Sequence, residues 1–224
     1  MGKFLMFFIF VLTLTSHSFS QTQFTQSSDS DPKAKKILKE IKDTFDASET
    51  FSIDFHMTMS YPGEDDYHQE GTIVQQGASF HLDMNEYLII SNDATRWVYH
   101  KTDNIVNLYN AQSDDSWMTP KDFLNIYDSP EFVYTLLPDG HTQATSEHWI
   151  EFKSLDPDSD YSKVRMKVFK ADNQIRSLKA FATDGSSYEL LVDQINYSPS
   201  VRKELFQFQP NNYPGIKIED LRID

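Results

Sequence analysis

The sequence predicts a single, mostly β domain in which antiparallel strands follow one amphipathic helix. A helical period of apolar residues spans residues 33–47 and gives way to a period of two from residue 51 onward. Turn sequences such as Ala171-Asp172-Asn173 and Thr183-Asp184-Gly185 then recur between short apolar segments. This spacing favours an antiparallel meander over a βαβ arrangement.

The first twenty residues have the pattern of a cleavable export signal. A basic residue precedes the apolar run Phe4 to Leu14, and Ser18 and Ser20 satisfy the small-residue rule for signal peptidase. The run of about eleven residues is shorter than the roughly twenty needed to cross a bilayer. We therefore expect cleavage before Gln21 and a periplasmic location. Residues 21–32 are polar and aperiodic, so we expect a disordered leader there.

The composition of the remaining chain, residues 33–224, fits one domain and argues against several classes of function. The formal net charge of the full sequence, −14, disfavours binding to nucleic acid, whose phosphates need basic partners. The absence of cysteine excludes disulfides, thiol catalysis and cysteine-ligated metals. The sequence contains no nucleotide-binding or hydrolase motif, and its seven histidines do not share metal-ligand spacing. We therefore expect no catalytic residues, no cofactor and no metal.

The helix is predicted over about Lys33 to Ala47, directly after Pro32. Its apolar residues form one stripe, with Lys and Asp on the opposite face. The members of the stripe are Ile37, Leu38, Ile41 and Phe45.

The strands are predicted from alternation and from short apolar segments. The first strand alternates most clearly, from Phe51 to Tyr61. Further strands are predicted at Gly71–Gln76, Ser79–Met84, Tyr87–Ser91, Arg96–His100, Ile105–Tyr109, Trp149–Ser154, Lys163–Phe169, Ile175–Phe181, Ser187–Tyr197, Phe206–Phe208 and Ile216–Ile218. Between the two groups of strands, proline-led segments predict short helices at Pro120–Tyr127 and Pro130–Leu137.

Large apolar side chains of the first five strands can share one face of the sheet. They are Phe51, Ile53, Phe55, Met57, Met59, Phe80, Leu82, Met84, Trp97 and Tyr99. Met166 and Val168 of a later strand can lie on the same face. Two interpretations stay open. The face belongs to an ordinary filled core, which the dense packing of protein interiors favours. Alternatively, it is left partly empty for a hydrophobic ligand, with helices as a cover, and flexible methionines suit either case.

Several segments resemble the outer-membrane lipoprotein carrier (LolA) family. Glu70–Val74 resembles the second strand of the family, and Leu88–Tyr99 resembles its apolar strand, turn and Trp-x-Tyr strand. Pro120–Leu124 matches the proline-led insertion helix. Phe206–Pro210 and Tyr213–Ile216 resemble the closing Phe-x-Phe and Pro-Gly-Ile signature. The similarity extends from about Lys33 to Leu221 and rests on the pattern and order of the elements.

The resemblance implies an unclosed antiparallel β-barrel of about eleven strands with a helical lid. The ten apolar strand residues would then bind the ligand. The lid would comprise Ile37, Leu38, Ile41, Phe45, Phe123 and Leu124. The family's basic latch residue is replaced here by Gln76, which leaves at best a neutral hydrogen bond to hold the lid.

The implied function is transport without catalysis. A periplasmic monomer would bind the acyl chains of lipoproteins and shuttle them from the inner to the outer membrane. Its partners would be an inner-membrane ATP-binding cassette complex that releases lipoproteins and an outer-membrane acceptor. Two alternatives stay open: a carrier or sensor of another hydrophobic ligand, and a non-catalytic interaction module with a filled core. An enzyme is the least favoured class, because no catalytic cluster is present.

Overall fold

The computed structural model describes residues 26–111, 129–138 and 146–222. These residues form one α-helix, α1 (Pro32–Asp46), and twelve strands. The strands are β1 (Thr50–Ser60), β2 (Tyr67–Gln76), β3 (Ser79–Met84), β4 (Tyr87–Ser91), β5 (Thr95–His100), β6 (Ile105–Asn110), β7 (Phe132–Leu136), β8 (Glu147–Ser154), β9 (Tyr161–Phe169), β10 (Ile175–Ala182), β11 (Ser187–Asn196) and β12 (Lys217–Asp220). None of the described helices is long and apolar enough to cross a membrane.

The strands join one twelve-stranded sheet in the order β12-β6-β5-β4-β3-β2-β1-β11-β10-β9-β8-β7. After the meander β1–β6, the chain crosses to the far edge at β7 and returns by a second meander that brings β11 beside β1. All neighbours are antiparallel except β12, which runs parallel to β6. Because β12 and β7 are edges that do not pair with each other, the barrel is unclosed, which confirms the predicted fold class.

The start of α1 is fixed by local chemistry. Asp31 is the N-cap, and its carboxylate accepts a hydrogen bond of 2.7 Å from the Lys33 amide. Pro32 occupies the first helical position, where no amide donor is required. The Asp31 amide donates to the carbonyl of Tyr134 in β7 at 2.9 Å. The segment that precedes α1 therefore contacts strand β7 at the edge of the sheet, and disorder of the leader, residues 21–32, stays a prediction.

Two element predictions are wrong. Residues 130–137, predicted as a helix, contain strand β7, whose apolar side chains pair in register with β8. Of residues 206–208, predicted as a strand, Phe206 ends the 3-10 turn Lys203–Phe206, and the next two residues belong to no strand. The apolar run in each segment is too short for its period to distinguish helix from strand. The helix predicted at Pro120–Tyr127 lies outside the described residues.

The core lies on both faces of the sheet. On the face covered by α1, called the inner face here, aliphatic residues stand directly opposite one another from β11 to β5. They are Ile195, Ile53, Ile73, Leu82, Ile89 and Val98. On the outer face of β4–β6, a smaller cluster is closed by the C-terminal segment with Phe208, Tyr213 and Ile216.

Gly71 in β2 shows how tightly the inner face is packed. It stands opposite Phe55 on one side and Met84 on the other. A Cβ added to Gly71 would lie 2.6 Å from the carbonyl oxygen of Asp83 and 2.9 Å from the Phe55 ring. The backbones of β2 and β3 can keep this approach only when residue 71 has no side chain.

Candidate apolar ligand surface

Two rows of apolar residues cross the inner face of six neighbouring strands, β1, β11, β10, β9, β8 and β7. In each row, every residue stands in direct register with the next. The first row is Met57, Leu190, Leu178, Met166, Ile150 and Leu136. The second is Met59, Tyr188, Ala180, Val164, Phe152 and Tyr134. We call these two rows the apolar surface.

The burial of the apolar surface changes along the rows. In the first row Ile150 and Met166, on β8 and β9, are fully buried. Met57, Leu190 and Leu178 are only half-buried, although they pack against the main core. The rows therefore join the closed core to apolar side chains that are still within reach of a further molecule. Burying such side chains completely would yield about 25 cal/mol per Å² of apolar area.

A polar boundary lies beside this surface on β2. Gln69 is in register with Met57 and is only 5% exposed. Its Nε2 donates to the Tyr67 hydroxyl, whereas its buried Oε1 has no hydrogen-bond partner. Burial raises the free energy of such an oxygen, so it is a ready acceptor for a donor brought by a ligand.

Of the ten predicted ligand residues, eight lie on the inner face. Met57 and Met59 belong to the apolar surface, and Leu82 and Met84 are half-buried at the edge of the main core. Phe51, Ile53, Phe55 and Phe80 are buried within that core. The interior is thus filled around α1, and ligand contact by these four residues requires that the core open.

Trp97 and Tyr99 lie on the opposite face, which corrects their predicted placement. The Tyr99 ring packs against Tyr213 at 4.5 Å and Phe208 at 5.7 Å between ring centroids. Val98 points to the inner face instead. Strand β5 is covered on both sides, so the apolar character of Trp97 and Tyr99 could not indicate which face they occupy.

The predicted lid residues of α1 are packed as core. Leu38, Ile41 and Phe45 are buried, and Ile37 packs at the margin of the same cluster. The Phe45 ring meets Phe51 edge-on at a centroid distance of 4.9 Å. The other predicted lid residues, Phe123 and Leu124, lie outside the described residues.

The predicted latch residue, Gln76, forms a hydrogen bond within the sheet. The Gln76 side chain donates to the Thr50 hydroxyl at 3.1 Å, across the β1–β2 pair. Its neighbour Gln75 shares the inner face with Phe51 and Phe80 and is buried. The alternation of strand β2 therefore turns residue 76 away from the face that α1 covers. Since Phe123 and Leu124 of the predicted lid lie outside the described residues, a latch at Gln76 stays a prediction.

Ten of the twelve residues of the apolar surface lie on β7–β11, and of these the prediction placed only Met166 on the apolar face. Val164, Leu178 and Leu190 were predicted to lie in strands, but they were not assigned to a ligand surface. The alternation of Lys163–Phe169 carries the signal, since its even-numbered residues are all apolar. Only the return of β11 to β1 places these residues beside Met57.

No protein-family model and no curated protein sequence matches this chain. Solved structures match it with low sequence identity. An uncharacterized conserved protein from Thermus thermophilus has a TM-score of 0.54 and 10% identity, over 85% of this chain and 99% of that one. A LolA superfamily protein from Nitrosomonas europaea has a TM-score of 0.39 and 10% identity, over 78% and 97% of the two chains. LprF from Mycobacterium bovis has a TM-score of 0.41 and 7% identity, over 78% and 98%. At these identities the similarity concerns the fold.

Proposed function

We propose that this chain is an exported, non-catalytic carrier of hydrophobic ligands, and that its cargo is the acyl chains of lipoproteins in transit between the inner and outer membranes. In this proposal an inner-membrane ATP-binding cassette complex loads the carrier, and an outer-membrane acceptor unloads it. The export signal predicted for residues 1–20 supports action in the periplasm.

The apolar surface is the observation that carries the proposal. Twelve apolar or aromatic side chains in two unbroken rows form a strip that is six strands wide, and its residues on β1, β11 and β10 are half-buried. Neighbouring strands are about 4.8 Å apart, so six strands extend roughly 25 Å across the sheet. A strip of that length can accommodate an extended acyl chain.

The energetic demand of the cargo agrees with such a surface. Each methylene removed from water contributes about 0.8 kcal/mol, so a carrier of long chains needs a continuous apolar strip rather than a few separate contacts. The proposed transport includes no catalytic step. Among the described residues, no group of three or more His, Asp and Glu side chains is arranged to hold a metal ion.

The proposal is tested by what the exported protein carries. The full chain would be secreted into a bacterial periplasm and purified without detergent, and its intact and native masses would be measured. We expect a chain that begins at Gln21, with a fraction in one-to-one complexes with lipoprotein. A mature protein that never carries lipoprotein or lipid, even after incubation with energised inner-membrane vesicles, would contradict the proposal.

The packing of α1 favours a second candidate, a non-catalytic interaction module with a filled core. Leu38, Ile41 and Phe45 close one part of the inner face completely. A module of this kind would bind a protein partner through its outer surface and would not bind a neutral hydrophobic dye. Dye binding that is lost when Met57 and Leu190 are replaced would therefore favour the carrier over the interaction module.

A further inference from the structure

A group of basic side chains lies on the outer face of β8–β10, away from α1. Its residues alternate with the inner-face residues along each strand, so the sheet turns all of them to one side. We call this group, together with the two rings beneath it, the basic face. Its members are Lys153, Lys163, Arg165, Lys167 and Lys179, with the rings of Trp149 and Phe181.

The register of the sheet brings these cations together although they are distant in sequence. Arg165 in β9 stands between Glu151 in β8 and Lys179 in β10. Lys179 in turn faces Glu189 in β11. The resulting order across four strands is one carboxylate, two cations and one carboxylate, and further lysines flank this line along β9.

Aromatic rings hold the cations against the sheet. Lys167 Nζ lies 4.8 Å and the Arg165 guanidinium 5.6 Å from the Trp149 ring. Lys163 and Lys179 lie 4.9 Å and 5.6 Å from the Phe181 ring. Cation–π contacts at such distances favour one arrangement of otherwise mobile side chains. The positive groups are therefore already ordered before a partner arrives, which lowers the entropic cost of binding.

Ion pairs order the same groups without neutralising them. Arg165 donates to Glu151 at 2.6 Å, and Lys163 lies 3.7 Å from the same carboxylate. Burial would raise the pKa of Glu151, but the hydrogen bond from Arg165 and the nearby cations bring it below its ordinary value. Lys179 and Lys167 lie 3.1 Å and 3.7 Å from Glu189.

The charge of this face is opposite to that of the molecule. Five cations share two carboxylates, and a third, Glu147, accepts a hydrogen bond from Trp149 on the same face, which leaves two positive charges there, whereas the whole chain has a formal net charge of −14. The side chains of Lys163, Arg165 and Lys167 keep 33%, 25% and 26% of their surface exposed. They can therefore form additional hydrogen bonds to an approaching anion.

The size of the partner follows from the surrounding negative charge. An extended anionic surface, such as a membrane, would approach the acidic remainder of the molecule as well as the basic face. Charges beyond about 8 Å are screened at physiological salt, so a narrow segment would respond mainly to the face that it touches. A short polypeptide segment rich in Asp and Glu meets this condition.

We propose that the basic face is a docking surface for an acidic segment of a partner protein. The carboxylates of the segment pair with Lys163, Arg165 and Lys167 along β9, while Trp149 and Phe181 provide apolar area between them. Docking on the outer face leaves the apolar surface on the inner face accessible, so a partner can be bound while the inner face is empty or occupied.

The test is titration of the full chain with a fluorescently labelled octaglutamate peptide, read by anisotropy at low and high salt. We expect binding at low salt that weakens as salt is added. The double variant Lys163→Gln/Lys167→Gln keeps side chains over the rings but removes two charges. It should bind about fivefold more weakly, because each exposed ion pair contributes only modestly.

The matched control is Lys39→Gln/Lys42→Gln, which removes two ion-paired lysines from α1. It should bind the peptide as the unmodified protein does, and thermal melting should show that both variants are folded. The proposal is overturned if the peptide does not bind, or if both double variants lose equal affinity. It is also overturned if the chain binds phosphatidylglycerol vesicles through Lys163 and Lys167 but not the peptide, since the partner would then be a membrane surface.

Discussion

Replacement of Phe45 by alanine tests whether α1 belongs to the core or opens as a lid. Phe45 is 0% exposed and makes edge-to-face contacts with Phe51 and Tyr197, at 4.9 Å and 5.3 Å between ring centroids. Removal of a fully buried phenylalanine lowers the free energy of unfolding by about 3–5 kcal/mol. Of this, the two ring contacts account for about 0.5–1.5 kcal/mol each.

The assay is urea unfolding followed by circular dichroism, with Phe45→Leu as a milder variant that retains apolar volume. We expect Phe45→Ala to lose about 3–5 kcal/mol and Phe45→Leu to lose less. The control Lys36→Ala removes an exposed pair with Glu40 at 3.9 Å and should change stability by about 0.5 kcal/mol at most. If Phe45→Ala costs no more than Lys36→Ala, α1 is not part of the core, and the reasoning from burial is refuted.

Three further predictions concern local features of the fold. Asp31→Ala should lower the free energy of unfolding by about 0.5–2 kcal/mol in the same urea assay, because α1 loses its N-cap; an unchanged midpoint would contradict this. Gly71→Ala should destabilise by about 1–3 kcal/mol, since the new Cβ would lie 2.6 Å from the Asp83 carbonyl oxygen; a stable variant would show that β3 can move away. Hydrogen bonds from Arg222 lower the pKa of Asp220 from 3.8 to about 2, so the stability that this carboxylate provides should persist above its ordinary pKa and disappear as the pH falls through about 2. Carboxyl NMR should give a midpoint near 2 that rises in Arg222→Ala, and a wild-type midpoint near 3.8 would refute the assignment.

The helix and the first strand could be predicted from sequence because their signals are local. Pro32 and the stripe of Leu38, Ile41 and Phe45 specify one helix face, and the alternation of β1 specifies one strand face. Each pattern is long enough to distinguish a period of 3.6 from a period of two. Where the local pattern is this strong, the tertiary structure preserves it.

The faces of Trp97 and Tyr99 could not be predicted, because the cause lies far away in sequence. Residues 208–216 return to cover the outer face of β4–β6, so β5 is buried on both sides and its alternation is lost. Most of the apolar surface was missed for a similar reason. Met57 becomes part of a row only because β11 pairs with β1 and places Leu190 beside it.

The central claim is that the apolar surface binds hydrophobic ligands, and titration with a neutral fluorescent dye such as N-phenylnaphthylamine tests it most directly. The double variant Met57→Gln/Leu190→Gln places two amides on one cross-strand pair of the surface. One donor of the amide at position 57 can pair with the free Oε1 of Gln69, but the other polar groups of the two amides keep no such partner. Burying them costs about 1–3 kcal/mol per amide, so we predict dye affinity at least about tenfold weaker. The control Thr58→Gln/Glu189→Gln alters the neighbouring cross-strand pair on the outer face and should leave dye binding unchanged. Equal behaviour of the two double variants, or no dye binding by the unmodified protein, would contradict the claim.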